Sequence, residues 1–215
     1  GAGRTGAPGM NGVRITSLVV DHLAQLLAQV LRFDGPADAV MSRYFRQHAK
    51  LGRSERGLIA EAVFHALRRY ASLRWMMQPA RPERAARLAG LITLARQHGA
   101  AALDARALRN DERAVRHALS MRPEAAPRAV QAELPMWLYE RITGQYEDAP
   151  ALFAALIEAA PLDLRVNTQR AQRGEVLAEL RAASRQHAPL HAEPTPHSPE
   201  GIRLLEKPGL TRWAL

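Results

Sequence analysis

A change of hydrophobic period at residue 162 constrains this chain more than any other feature of its sequence. Up to Ile157 the apolar residues recur every three or four positions, the spacing of amphipathic helices. Then Leu162, Leu164 and Val166 alternate strictly with Asp163, Arg165 and Asn167. A side-chain period of two makes 162–167 a strand with one face buried and one presented. An arginine and an asparagine side by side on the free face could meet an anion or a polar ligand. The residues before this strand read as helix, and those after it read as mixed helix and strand. The expected fold is mainly α: a helical bundle followed by a small α/β subdomain.

The helical part divides by its punctuation. Residues 1–13 are a glycine-rich leader, expected to be flexible and left out of the fold. Ser17 can cap a helix to about Arg32, with Val19, Leu23, Leu26, Leu27 and Val30 as its apolar stripe. Gly35-Pro36 restarts a helix carrying Val40, Tyr44 and Phe45, which ends near Gly52. Ser54 then caps the longest helix, roughly 55–77, with Ile59, Val63, Ala66, Tyr70, Leu73 and Met77 as its buried stripe. This is the expected central helix of the first domain, which covers 14–122. Further helices span about 83–98 and, from an Asn110 cap, to about Met121. Residues 123–134, rich in proline and alanine, are the expected linker, with a short helix possible inside it. The second part, 135–215, opens with a helix between Pro135 and Gly144 and another over 149–160. After the strand come a helix over 173–183, a strand over 202–206 and a partner strand near 190–195.

Charge is informative because of where it sits. The net charge is +9, yet residues 43–128 alone hold 18 Lys+Arg against 7 Asp+Glu. A basic region favours nucleic acid as the partner, against the plainer reading of a solvated basic surface. The longest apolar runs fall well short of the ~20 residues that span a bilayer, and no secretory signal opens the chain. A cytoplasmic protein without a membrane partner is expected. The absence of cysteine excludes disulfides, thiolate metal sites and cysteine nucleophiles.

The arginines supply the candidate site. Arg53 and Arg56 start the longest helix, Arg68, Arg69 and Arg74 follow it, and Arg81, Arg84 and Arg87 lie just beyond. The planar guanidinium fork can donate two parallel hydrogen bonds to a phosphate. Histidines 187, 191 and 197 lie close in sequence but in a proline-rich turn without fixed spacing, and no metal site is assigned. The acid pairs Asp111-Glu112 and Glu147-Asp148 begin helices and read as caps. No nucleophile elbow, phosphate-cradling loop or dinucleotide fingerprint is present, so no catalytic or cofactor-binding residue is assigned. On its own residues the chain reads as a binding module.

Two segments carry a family resemblance. Leu134-Pro135-Met136-Trp137-Leu138, followed by Pro161-Leu162-Asp163-Leu164-Arg165-Val166-Asn167 and an amphipathic helix, resembles the front half of the Sun/NOL/NOP (RsmB-like) family. Its members are S-adenosylmethionine-dependent RNA 5-methylcytosine methyltransferases. The basic helical region resembles the family's NusB-like RNA-binding domain, with Leu73-Arg74-Trp75 in place of its Leu-x-Trp turn. The resemblance implies a NusB-like bundle, an RRM-like subdomain opened by the Arg-Val-Asn strand, and rRNA as the partner. It places a methyltransferase domain, with the S-adenosylmethionine site and two catalytic cysteines, after about residue 215. These residues would then bind and position RNA for a catalytic domain that they do not include. The residues implied for RNA are Arg53, Arg56, Arg68, Arg69, Arg74, Arg165 and Asn167. An alternative from another class is a NusB-like protein/RNA interaction module of transcription antitermination without methyltransferase activity. The 85–121 section departs from the family pattern, being short and lacking its usual Val-Asn-x-x-Leu-Arg-like segment.

Overall fold

The computed structural model describes residues 14–183 and 190–205, so the leader and part of the proline-rich turn, His187 included, lie outside the described residues. The chain divides into two compact units, one ending at Ile157 and the other beginning at Glu158. The fold is mainly α, a helical bundle followed by a small α/β unit.

In the first unit, α1 (Ser17–Val30) buries the expected stripe of Val19, Leu23, Leu26, Leu27 and Val30. It packs on α2 (Ala37–Gln47), α3 (Arg53–Arg68) and α5 (Ala86–His98). The expected long helix 55–77 is two helices, α3 and α4 (Tyr70–Met76), separated at Arg69, where φ is −120° and ψ is 34°. Gly52, not Ser54, takes the N-cap position of α3. The central helix is α5. Every residue from Ala89 to Ala95 is buried, which is the mark of a helix enclosed on all sides. Gly90 of α5 lies against Leu23 and Leu27 of α1. A Cβ there would lie 3.3 Å from Leu23, so a larger residue would push the two helices apart.

Short helices close the bundle. Ile15, fully buried, forms a parallel bridge with Leu103, ahead of α6 (Ala105–Leu108) and α7 (Glu112–Ser120). Asp111 makes no cap hydrogen bond for α7; its carboxylate accepts instead from Arg87 at 2.9 Å. Asp148 does cap, accepting from the Ala151 N–H at 3.4 Å. Residues 123–134 hold a 3-10 turn and the one-turn helix α8 (Arg128–Gln131), and Ala126, Ala129 and Ala132 are buried. Helices α9 (Met136–Gln145) and α10 (Ala149–Ile157) come next, with Tyr139 stacked on Phe153. Between them they bury only Ala149.

The second unit is built on β1 (Leu162–Arg165), α11 (Arg173–Ala183), β2 (Ala192–Pro194) and β3 (Gly201–Leu204). The order β1-β3-β2 sets β3 antiparallel to both neighbours. Strands β1 and β2 therefore run the same way with α11 crossing between them, a split β-α-β arrangement. Leu162, Leu164 and Val166 turn toward a core of Leu177, Leu180, Leu190, Ile202 and Leu204, as the alternation requires.

Candidate nucleic-acid interface

The arginines named from the sequence have three different fates. Arg56 is turned inward. Its Nε donates to the Leu51 carbonyl at 2.9 Å and its Nη2 to the Ala49 carbonyl at 3.0 Å, closing the turn after α2. Its guanidinium also lies 5.9 Å from the Phe45 ring centroid. Arg87 is neutralised. It bridges Asp21 at 2.5 Å and Asp111 at 2.9 Å and donates to the Ala107 carbonyl at 2.6 Å. These contacts tie α1, α5 and α7 together, with Arg109 adding a second bridge to Asp21 at 2.8 Å.

Arg53, Arg74, Arg81 and Arg84 are exposed, and Arg68 and Arg69 are half-buried. Arg53 is exposed at the start of α3, and Arg68 ends it. At ~1.5 Å rise per residue the two stand roughly 22 Å apart, so no single phosphate meets both. Arg68, Arg69 and Arg74 gather instead around the α3–α4 break, with exposed Arg81 and Arg84 beyond it. Arg68 is half-buried and its Nε has no hydrogen-bond partner. Burial lowers its pKa, the neighbouring Arg69 lowers it further, and Glu61 opposes both. At ordinary pH it remains a cation.

A polar cluster beneath the break explains its position. The Glu133 carboxylate, from the far end of 123–134, accepts the Ser72 N–H at 3.0 Å. It thereby satisfies a free donor of the first turn of α4. The Ser72 hydroxyl bonds back to the Arg69 carbonyl at 3.2 Å and accepts from Arg96 at 2.9 Å. Burial pushes the Glu133 carboxyl up, while the Ser72 hydrogen bonds and Arg96 pull it down. His65 is pushed down to about 4, first by burial and then by Arg69, Arg96, Arg68 and His98. It is neutral near pH 7 and leaves the charge of this end to the arginines. Arg68, Arg69, Arg74, Arg81, Arg84 and Arg96 outnumber Glu61, Glu83, Glu124 and Glu133 here, a balance that favours an anion at the surface.

Aromatic rings border this basic end, although the sequence pattern assigns them to the core stripe or to the Leu-x-Trp-like turn. Tyr70 and Trp75 are half-buried, and Phe33, 60% exposed, meets Tyr70 edge-on at 5.8 Å. The Tyr70 hydroxyl donates to Glu83. The available signal is composition: three aromatics interleaved with arginine on a chain with few aromatics overall.

In the second unit the two named residues have partners of their own. Arg165 Nε donates to Glu200 at 2.8 Å with its side chain 84% exposed. Asn167 Oδ1 accepts the Gln169 N–H at 3.1 Å, shaping the turn that leads into α11. Across the open sheet face, Asp163 takes both Nε and Nη2 of Arg203 at 2.8 Å. Those hydrogen bonds hold the Asp163 carboxyl below its usual range. Among the described residues no group of three or more His, Asp or Glu side chains could hold a metal ion, and no helix is long and apolar enough to cross a membrane.

Comparison with known proteins places these units. Residues 134–210 match the family model of the RsmF/B-like methyltransferase ferredoxin-like domain. No curated protein matches the chain. Among solved structures, the crystal structure of PH0851 superposes with a TM-score of 0.66 at 12% identity, over 95% of this chain and 52% of that one. The likeness establishes a shared fold, and the chain spans about half the length of that protein. The split β-α-β sheet lies within the matched residues 134–210, which are similar to the RsmF/B-like ferredoxin-like domain.

Proposed function

We propose that these residues are the RNA-binding region of an S-adenosylmethionine-dependent rRNA (cytosine-5) methyltransferase, positioning RNA for a catalytic domain outside them. The observation that carries the reading is the RsmF/B-like domain at 134–210, on the same chain as a helical unit whose basic end is not neutralised. RNA modification in the cytoplasm is the setting this implies. S-adenosylmethionine would supply the methyl group in the whole protein. The present residues do not fit that cofactor: the described glycines stand singly at turns and helix positions without forming a glycine-rich cofactor loop, and no cysteine is present to act as the thiol nucleophile. No chemical step is therefore assigned to them. Their part is to hold RNA, with Arg68, Arg69 and Arg74 contacting phosphates at one end of α3 and Arg53 at the other. Arg56 serves by fixing the turn on which α3 begins. In the second unit, Arg165 and Asn167 shape the surface between β1 and α11 and are the weaker candidates for contact.

The test is the salt dependence of affinity for a single-stranded rRNA fragment, using the chain and a double variant, Arg53→Glu with Arg74→Glu. Both side chains are exposed, so circular dichroism should show an unchanged fold. The slope of log affinity against log salt should shrink by about 0.7 for each phosphate that the variant no longer neutralises. Binding that is absent at low salt, or indifferent to salt, overturns the phosphate-binding reading.

A further inference from the structure

The basic end of the helical unit also carries a groove that shares only Arg74 with the proposed phosphate contacts. It measures about 520 Å³ and runs between α4 and residues 130–135. Tyr70, Arg74, Trp75 and Gln78 line one side, and Leu134 and Pro135 line the other. Its size falls within the roughly 300–1,000 Å³ of small-molecule sites. From this juxtaposition we propose that the groove receives one unpaired nucleobase of the bound RNA, stacked against Trp75 or Tyr70 and held at its edge by Gln78. This rests on the RNA-binding reading above and gives it a base-contacting element.

Four features favour a base as the occupant. First, the lining sets the aromatic rings of Tyr70 and Trp75 among Leu67, Val130, Leu134 and Pro135, and every nucleobase offers a flat face to such a surface. Second, Tyr70 is fixed in place by its hydroxyl's bond to Glu83 and by the edge of Phe33, so little entropy is given up in ordering it when a base arrives. Burial and that bond push the phenol up to about 12, which keeps the ring neutral. Third, Gln78 is exposed, and its amide both donates and accepts, which suits the mixed edge of a base. Fourth, Arg74 lies in the groove wall, with Arg69 before it and Arg81 and Arg84 after it, so a backbone phosphate has cations beside the slot. Glu133 also lines the groove, with Oε2 turned to the Ser72 N–H. The groove thus combines stacking surface with flanking positive charge, the pairing that single-stranded RNA requires.

Tryptophan fluorescence reads this directly. In a variant of this 215-residue chain with Trp137→Phe and Trp213→Phe, Trp75 is the one tryptophan left of three. The probes are a short oligouridylate and an abasic ribose-phosphate oligomer of equal length and charge. The oligouridylate should quench Trp75 and bind about 5- to 100-fold more tightly than the abasic oligomer. Gln78→Ala, an exposed substitution that leaves the fold intact, should narrow that gap without changing affinity for the abasic oligomer. If both oligomers bind equally and Trp75 is not quenched, the base slot is wrong while phosphate binding stands. If neither binds at low salt, the RNA reading itself has failed and the base slot with it. If an apolar peptide quenches Trp75 and the oligouridylate does not, the groove is a protein-docking site and the proposal falls.

Discussion

The two units hold their arginines on opposite terms. In the small unit Asp163 holds Arg203 by a two-pronged bond, with Glu193 opposite Arg203 on β2, and Arg165 pairs with Glu200. In the helical unit the same residue type divides. Arg56, Arg87 and Arg96 are bound to carbonyls, carboxylates and a hydroxyl, whereas Arg53, Arg74, Arg81 and Arg84 point outward. The lesson is that a regional count of charge overstates a binding surface. What matters is how many cations the fold leaves without an internal partner. By that measure the α3–α4 break is one outward cationic surface of the helical unit, and the end of α2 with the start of α3, carrying exposed Arg43, Arg46, Lys50 and Arg53, is another.

The strongest way to break this comparison is Arg87→Ala. Removing the side chain strands Asp111 and the Ala107 carbonyl and leaves Asp21 with Arg109 alone. The site is only partly shielded from water, so the expected loss is about 1–3 kcal/mol, below that of a fully buried pair. Urea denaturation measures it. RNA affinity of the folded variant should not change. A variant of full stability with weakened RNA binding would show that Arg87 belongs to the outward group.

A pH experiment sharpens the helical side of the comparison. His65 is held neutral, with its pKa lowered from 6.5 to about 4 by burial and the surrounding arginines. The unfolded chain binds a proton there more readily than the folded one, so stability is complete above pH ~6.5 and declines as pH falls toward 4. Glu133 works in the opposite sense, because its raised pKa makes the folded chain the better proton acceptor near its own titration. The variant His65→Gln removes the first contribution and retains the second. Between pH ~6.5 and 5 the unmodified chain should lose on the order of 1 kcal/mol more than the variant, after allowance for partial exposure. Equal slopes in the two proteins would mean that the cations at the break do not act on His65.

Much of the fold is legible from local pattern, and the parts that are not share a physical reason. Helices α1 and α11 and the β1 alternation arise directly from their periods, because burial of one stripe or one face decides them. The α3–α4 break is silent in the pattern: Ala66, Tyr70, Leu73 and Met77 keep helical spacing straight through it. What makes the break possible is a carboxylate 61 residues away that satisfies the new N-terminus, an interaction no local window contains. The same holds for Asp111, which local rules assign as a cap and which the fold gives to Arg87, 24 residues earlier. Of the candidate site, Arg53, Arg69 and Arg74 are legible as cations at the right end or start of a helix. The inward turn of Arg56 is not, because it depends on where the α2 carbonyls finish. The aromatic side of the groove is masked by its own periodicity, since Tyr70 fits the core stripe while sitting half-exposed against Glu83.

The smallest effect separates the units most cleanly. Arg165 is a strand residue with an exposed side chain and one ion pair to Glu200. An exposed pair of this kind contributes at most about 1 kcal/mol, and often nothing measurable. Arg165→Ala should therefore shift thermal unfolding only slightly. If the pairing with Glu200 is its whole role, RNA affinity and its salt slope should also stay within error. Glu200→Gln distinguishes the cases further, because it releases Arg165 without removing the cation. Stronger RNA binding in Glu200→Gln, abolished again when Arg165→Ala is added, would make Arg165 a phosphate ligand that Glu200 holds in check. No change in either variant would leave the small unit's strand charges as structural pairs and confine RNA binding to the helical unit.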